Sequence, residues 1–206
     1  MVVFKRILRE SGFHMSQQYE LFREWFNEAR EAALPQYESM ALITATLDAK
    51  PSARMVLLKG LEAGCFRFYT NYESRKAQEL DQNPQAQLLF YWPALGKQIR
   101  IEGKVRRTSA EVSDEYFMSR ARESRLGAIA SLQSRPLQSM KELEDKFSKI
   151  SDQFKAQEVT RPAGWGGYEL DPDYFEFWQD RESRLHERLI FKKEKNGAWV
   201  SSRLWP

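Results

Sequence analysis

A chain of 206 residues, 42% hydrophobic and 13% aromatic, can bury one substantial core and is short for two full domains, so a single domain over 1–206 is expected. Its 32 basic and 29 acidic residues leave a formal charge of only +3, too mild to imply nucleic-acid binding but compatible with a protein that holds small anions. No run approaches the roughly 18 apolar residues of a membrane helix, and residues 1–13 lack the apolar stretch of a signal peptide, so a cytoplasmic protein with no membrane partner is expected.

Within residues 16–34, Phe22, Trp25, Phe26, Ala29 and Ala33 recur at helical spacing and predict an amphipathic helix. Strand composition follows at 40–47, 54–58, 65–70, 87–92 and 98–105, separated mostly by Gly, Pro or Asn. Five short strands this close together suggest an antiparallel barrel. A short helix is expected at 73–81, stopped before Asn83-Pro84, and the capping-box pattern Thr108-Ser109-Ala110-Glu111 should start another. A longer helix is expected over 137–157. Strands return at 168–170, 174–178, 184–191 and 199–204, with Asn196-Gly197 as a hairpin turn between the last two. One cysteine, Cys65, excludes an intramolecular disulfide and sits in an apolar run that reads as core; with only His14 and His186 besides, no metal site is expected.

Four features depart from local expectation. Ser74-Arg75-Lys76 puts two cations in the first turn of a helix, where unpaired N–H groups and the macrodipole favour negative charge. Either both side chains extend into water or an anion such as a phosphate sits there. Arg184-Leu185-His186-Glu187-Arg188, read as a strand, would put Arg184, His186 and Arg188 on one face, either as a charged edge or around a flat anionic ligand beside Tyr174, Phe175, Phe177 and Trp178. Tyr116, Arg120 and Ser124, spaced by four, would share one face of a continuous helix and could clamp a phosphate. Lys59 closes an apolar run, and Gln98 opens a strand on its polar face. No G-x-G-x-x-G or G-x-x-x-x-G-K-[ST] occurs, which argues against a dinucleotide fold or a P-loop.

Arg54-Met55-Val56-Leu57-Leu58-Lys59, Tyr69-Thr70-Asn71 and Ser74-Arg75-Lys76 resemble the flavin-binding motifs of the pyridoxine/pyridoxamine 5′-phosphate oxidase family. Lys97-Gln98-Ile99-Arg100-Ile101-Glu102-Gly103, Gln133-Ser134, Glu176-Phe177-Trp178-Gln179 and Arg184-Leu185-His186-Glu187-Arg188 follow in the family's order, so the resemblance covers roughly 40–206. It implies an α+β fold, mainly β with helices: an FMN-binding split β-barrel, homodimeric, with each flavin site drawing on both subunits.

The resemblance further implies that FMN is held by Arg54, Met55, Val56, Leu57, Leu58 and Lys59, by Tyr69, Thr70, Arg75 and Lys76, and by Gln98, Gln133, Ser134, Trp178 and Arg188. Arg75 and Lys76 would serve its phosphate. Lys59, Tyr116, Arg120 and Ser124 would bind the substrate phosphate, and Arg184, Leu185 and His186 its pyridine ring, with Arg184 and His186 as catalytic candidates. The implied reaction passes a hydride equivalent from C4′ of pyridoxine or pyridoxamine 5′-phosphate to the flavin, and dioxygen then yields hydrogen peroxide. The amine substrate would also release ammonia.

Residues 1–18 carry no copy of the arginine- and tyrosine-bearing segment that helps cover substrate in the family, Gln36 stands where an acid is expected, and Ala121 replaces a proline beside the substrate arginine. A related flavin oxidase acting on another aromatic substrate, or a non-catalytic FMN- or pyridoxal-phosphate-binding protein, are the alternatives.

Overall fold

The computed structural model describes residues 16–206. The N-terminal stretch in which a substrate-covering segment was sought lies, up to residue 15, outside the described residues. Helix α1 (Gln17–Glu31) buries Phe22, Trp25, Phe26 and Ala29, the stripe that its periodicity predicts. Strands β1 (Ser39–Ala45), β2 (Pro51–Leu57), β3 (Gly60–Glu62) and β4 (Cys65–Asn71) come next, then helix α2 (Arg75–Gln82), β5 (Gln85–Trp92) and β6 (Lys97–Arg107). Helices α3 (Ala110–Ser119), α4 (Arg122–Ala130) and α5 (Met140–Gln153) form a cover before β7 (Trp165–Gln179), β8 (Glu187–Lys193) and β9 (Trp199–Arg203).

The strands form one antiparallel sheet in the order β2-β1-β5-β6-β7-β4-β3, with β8 and β9 added alongside the second half of β7. The two ends of that order, β2 and β3, are neighbours in the chain, separated only by Leu58 and Lys59. A sheet whose opposite edges are two residues apart must curl until they meet. This closure makes the barrel expected from the sequence. Alternation along the strands sends Met40, Leu42, Phe66, Phe68, Leu88, Phe90, Ile99 and Ile101 inward, all fully buried. Helix α1 adds Phe22 against Phe66 at 4.8 Å and Trp25 against Phe177 at 5.3 Å, both edge-to-face. A second apolar cluster, Phe117, Leu126, Val159 and Trp165, fixes the helical cover to the start of β7.

Three expectations are corrected. The C-terminal strands expected at 168–170 and 174–178 are one 15-residue strand, β7, long enough to pair with β4 in its first half, with β8 in its second and with β6 from Tyr168 to Gln179. The expected continuous helix through Tyr116, Arg120 and Ser124 is broken: Arg120 and Ala121 are extended, α3 ends at Ser119 and α4 restarts at Arg122. The strand expected from Arg184 begins only at Glu187. Glu182–Arg184 is a tight 3-10 turn with Ser183 and Arg184 at φ 56° and 60°, so Arg184 and His186 are not strand neighbours of Arg188. The helix at 109 is capped by Ser109, which accepts from the Val112 N–H, one residue later than a Thr108 cap would be. Among the described residues no helix is long and apolar enough to cross a membrane.

The pairing of β6 with β7 shifts register between Glu102 and Gly103, where Glu102 opposes Tyr174 and Gly103 opposes Pro172. A Cβ on Gly103 would lie 2.1 Å from the Asp171 carbonyl oxygen, a backbone atom that cannot swing away. Gly103→Ala should therefore lower stability to urea by about 3 kcal/mol, the cost of overpacking against fixed backbone. A loss below about 1 kcal/mol would show that the bulge relaxes freely.

Candidate functional site

Where β2 meets β4, under the helical cover, lies a cavity of about 690 Å³. Its floor is the outer side of β2, whose alternation leaves Arg54 and Val56 half-buried and Met55 and Leu57 exposed. Tyr69 and Thr70 at the end of β4, Arg75 and Lys76 at the start of α2, Tyr116 and Arg120 from α3 and its break, and Gln133 and Ser134 from the following loop complete it. Lys59, from the two-residue closure link, also lines it. Most residues assigned to the cofactor and to the substrate phosphate are thus gathered by one subunit.

The polar wall is organised around a buried carboxylate. Glu79 on α2 is 4% exposed; its Oε2 accepts from Thr44 at 2.5 Å, Ser52 at 2.6 Å and Arg54 Nη2 at 3.3 Å, while its Oε1 accepts from Arg75 Nε at 2.8 Å. Burial alone would raise its pKa, but these hydrogen bonds and the Arg54 charge outweigh that and hold it at about 2. Arg54 also donates to the Leu42 carbonyl at 3.2 Å and to Thr44 at 2.6 Å, so its guanidinium is fixed before any ligand arrives. Desolvation pulls the Arg54 pKa downward, opposed by Glu79.

Lys76 is 7% exposed, and its ammonium donates to two hydroxyls, Thr70 and Ser74, each at 3.1 Å. Desolvation, with the neighbouring Arg54 charge, lowers its pKa to about 8. The first turn of α2 holds no acidic residue, and the Ser74 side chain does not cap it but donates to the Asn71 carbonyl at 2.7 Å. A buried amine among hydroxyls, beside helix N–H groups without intrahelical partners, suits a bound phosphate, so the residues present fit a flavin mononucleotide phosphate. Gln133 joins this wall: its Oε1 accepts from Thr70 Oγ1 at 3.0 Å and from the Asn71 N–H at 3.2 Å.

A second cation group faces the same cavity. Lys59 donates to Glu38 at 2.9 Å, both side chains being largely buried. Tyr116 stacks on Tyr69 with centroids 3.8 Å apart, and burial raises both phenols, Tyr69 to about 12, so both stay neutral donors. Arg120 is half-buried, its Nη1 has no hydrogen-bond partner, and desolvation lowers its pKa. Such a donor waits for an acceptor.

The remaining assigned residues do not line this cavity. Gln98, Trp178 and Arg188 are direct cross-strand neighbours on β6, β7 and β8, facing away from the core. His186 packs on Trp178 at 4.7 Å, and its Nδ1 lies 2.9 Å from Asp180. Arg188 Nε donates to the buried Glu176 at 2.8 Å, with Arg100 and Tyr174 donating to the same carboxylate. Arg184 and Leu185 are exposed, Leu185 at 70%. Ser124 is exposed in the first turn of α4, outside the cavity lining. Leu58 is fully buried in the core, so its side chain cannot touch a ligand there. Sequence reasoning missed Glu79, Glu38, Ser52 and Trp165. Glu79 was findable, four residues after Arg75 on one helix face; Trp165 carries no local signal.

Between pH 8 and 10.5, the folded and ordinary values of Lys76, the flavin-free protein binds fewer protons than the unfolded chain. The burial cost of the charge is therefore fully present below that window, and stability rises with pH through it. Urea midpoints of flavin-free protein should rise relative to those of Lys76→Met across the window. Parallel curves would mean that Lys76 keeps its ordinary pKa.

A family model described as pyridoxamine 5′-phosphate oxidase matches residues 26–154, and another, described as the pyridoxine 5′-phosphate oxidase C-terminal dimerisation region, matches 165–206. A curated pyridoxine/pyridoxamine 5′-phosphate oxidase of Leptospira interrogans is 49% identical over 185 residues, 90% of this chain and 86% of that protein. One from Erythrobacter litoralis is 49% identical over 191 residues, 91% and 90% of the two chains. Among solved structures, PhzG from Burkholderia lata in complex with tetrahydrophenazine-1-carboxylic acid aligns with TM-score 0.87 at 27% identity, over 98% of this chain and all of that one. A pyridoxamine 5′-phosphate oxidase-related, FMN-binding protein from Nostoc punctiforme shares the fold, with TM-score 0.78 at 17% identity over 95% of this chain and all of that one. The half-identity to the oxidases over nine-tenths of the chain, together with the family model matched over 26–154, makes this chain a member of the pyridoxamine 5′-phosphate oxidase family.

Proposed function

We propose that the protein is an FMN-dependent oxidase converting pyridoxine 5′-phosphate or pyridoxamine 5′-phosphate to pyridoxal 5′-phosphate, with dioxygen as acceptor, and that it works as a homodimer. The observation that carries this reading is two sets of phosphate-binding groups lining one cavity: Arg54, Arg75 and Lys76 around Glu79, and Lys59 and Arg120 with the neutral phenol of Tyr116. Two phosphates, one on the cofactor and one on the substrate, match two groups. FMN, when bound, supplies the electron sink, taking a hydride equivalent from the substrate C4′ and passing electrons to dioxygen to give hydrogen peroxide.

The chain's own contribution is orientation. Glu79 keeps Arg54 and Arg75 in place for the flavin phosphate, and Arg120 and Lys59 draw in the substrate phosphate. Gln98, Trp178 and Arg188 complete the flavin site, and Arg184, Leu185 and His186 the ring site. Since these lie on another face of the subunit, they serve the cavity of a partner copy. Support comes from the match of 165–206 to a dimerisation region and from the exposure of Leu185, Val200 and Trp205 there. Ser183 and Arg184 in the left-handed region, costing roughly 1–2 kcal/mol each, fit a turn kept for a site rather than for stability. The PhzG likeness raises a related oxidase of another aromatic substrate as the second reading. The Lys59, Tyr116 and Arg120 group favours a phosphorylated ligand.

Acid-released cofactor should run as FMN on chromatography, and the yellow protein should bleach with pyridoxamine 5′-phosphate under nitrogen. FAD, or no bleaching, overturns the reading. Arg120→Ala should mainly raise KM, because a charge-assisted hydrogen bond to phosphate is made in ground and transition states alike. Arg184→Ala should lower kcat, since misplacement near reacting atoms is costly.

The shared site has its own test. Mixing unfolded Arg120→Ala and Arg184→Ala chains and refolding them should recover about a quarter of wild-type activity at substrate concentrations well below the KM of Arg120→Ala, where both parent dimers are nearly silent, since half the dimers are mixed and each holds one intact site. No recovery would place both arginines in one subunit's site.

A further inference from the structure

We infer that Trp165 is a positioning residue for the substrate phosphate: its ring face holds the Arg120 guanidinium in place without neutralising it. The inference rests on the assignment of Arg120 to that phosphate. The other arginines of the cavity are held by a carboxylate, Arg54 and Arg75 by Glu79, and Lys59 pairs with Glu38. Arg120 forms no ion pair with a described residue. Its guanidinium carbon instead lies 4.8 Å from the centre of the Trp165 ring and 5.7 Å from that of Phe117. A π face fixes a cation through its quadrupole while leaving the full charge and the edge N–H groups to a ligand. The partnerless, buried Nη1 of Arg120 is such a group.

The ring is itself rigidly placed. Trp165 opens β7 opposite Asn71 of β4, is 7% exposed, and its carbonyl accepts from Arg161 Nη1 at 2.8 Å. It lies nearly parallel to Tyr69, at 5.5 Å and 9°, and to Tyr116, at 6.2 Å and 4°, with Phe117 packed edge-on at 5.1 Å. Held on these sides, the indole keeps the face that carries the Arg120 guanidinium in a fixed direction. This support compensates for local backbone freedom, because Arg120 sits at the extended break between α3 and α4 and has no helix to fix its direction.

The test is a double-mutant cycle on the FMN-loaded enzyme. Trp165→Leu should raise KM for pyridoxine 5′-phosphate roughly five- to thirtyfold, the range of a partly desolvated cation–π contact, and leave kcat at saturation within about twofold. Trp165→Phe, which keeps a ring, should restore most of the loss; it also serves if the leucine variant fails to fold. In an Arg120→Ala background neither change should raise KM further, whereas a merely structural role would add its full effect there. Additive effects, or a fall in kcat with KM unchanged, overturn the inference. If Arg120→Ala alone leaves KM unchanged, the assignment of Arg120 to substrate phosphate fails, and the role of Trp165 falls with it. If Arg120→Ala raises KM but both Trp165 variants behave as wild type, only the Trp165 inference fails.

Discussion

Everything in this protein hangs on the two-residue link between β2 and β3. Because Leu58 and Lys59 must join opposite ends of a seven-strand path, the sheet has no freedom to lie open. The same alternation that closes it splits the pair: Leu58 turns into the core and is fully buried, while Lys59 turns into the cavity. Closure and the cavity lining are thus carried by adjacent residues of one segment. A shift of register by one residue along β2 would exchange them, putting an ammonium in the core and a leucine in the site. The hydrophobic requirement on Leu58 therefore fixes the position of Lys59.

The cavity then faces an electrostatic problem, since it concentrates cations at a low-dielectric wall before any anion is present. Two solutions coexist. Buried carboxylates hold some cations, and Glu79 does this at once for Arg54 and Arg75 through hydrogen bonds that also keep it ionised. Elsewhere the charge is tolerated at a cost, visible in the depressed pKa of Lys76 and in the unpaired Nη1 of Arg120. A bound group that supplies negative charge would offset costs of this kind.

Much of this was legible in the residues themselves. Strand composition between Gly, Pro and Asn signals located β1, β2, β4, β5 and β6 but not the three-residue β3, and the 3.6-residue stripe located α1. The cation pair at the head of α2 stood out because it opposes the helix dipole, and it marks the cavity wall. What failed to read correctly was backbone geometry without a periodic signature. Nothing in Tyr116 to Ser124 announces the extended pair Arg120-Ala121, and nothing in Ser183 to Arg188 announces the two consecutive left-handed residues Ser183 and Arg184. Strand β7 departs from the two short strands expected at 168–170 and 174–178; Pro172 lies between them, and the structure accommodates it opposite Gly103, beside the register shift.

Two of the misread segments carry proposed substrate contacts, Arg120 in one and Arg184 in the other, while Tyr116 stays on α3 and Lys59 in the closure link. A side chain on a regular helix or strand has its direction dictated by the element and by the core that the element serves. A residue that must point at a small ligand has no such freedom unless the backbone leaves the regular path. Breaking the helix at Arg120 releases its guanidinium to lie across Trp165, and the turn at Ser183-Arg184 releases Arg184 from the alternation that governs Arg188. Arg188 itself stays on its strand, held by Glu176 within a row that also carries Gln98 and Trp178. A large, flat cofactor can be matched by regular strands that present side chains at fixed spacing. A smaller ligand, whose reacting atom must be set within about an ångström, gains from the extra side-chain directions that irregular positions offer.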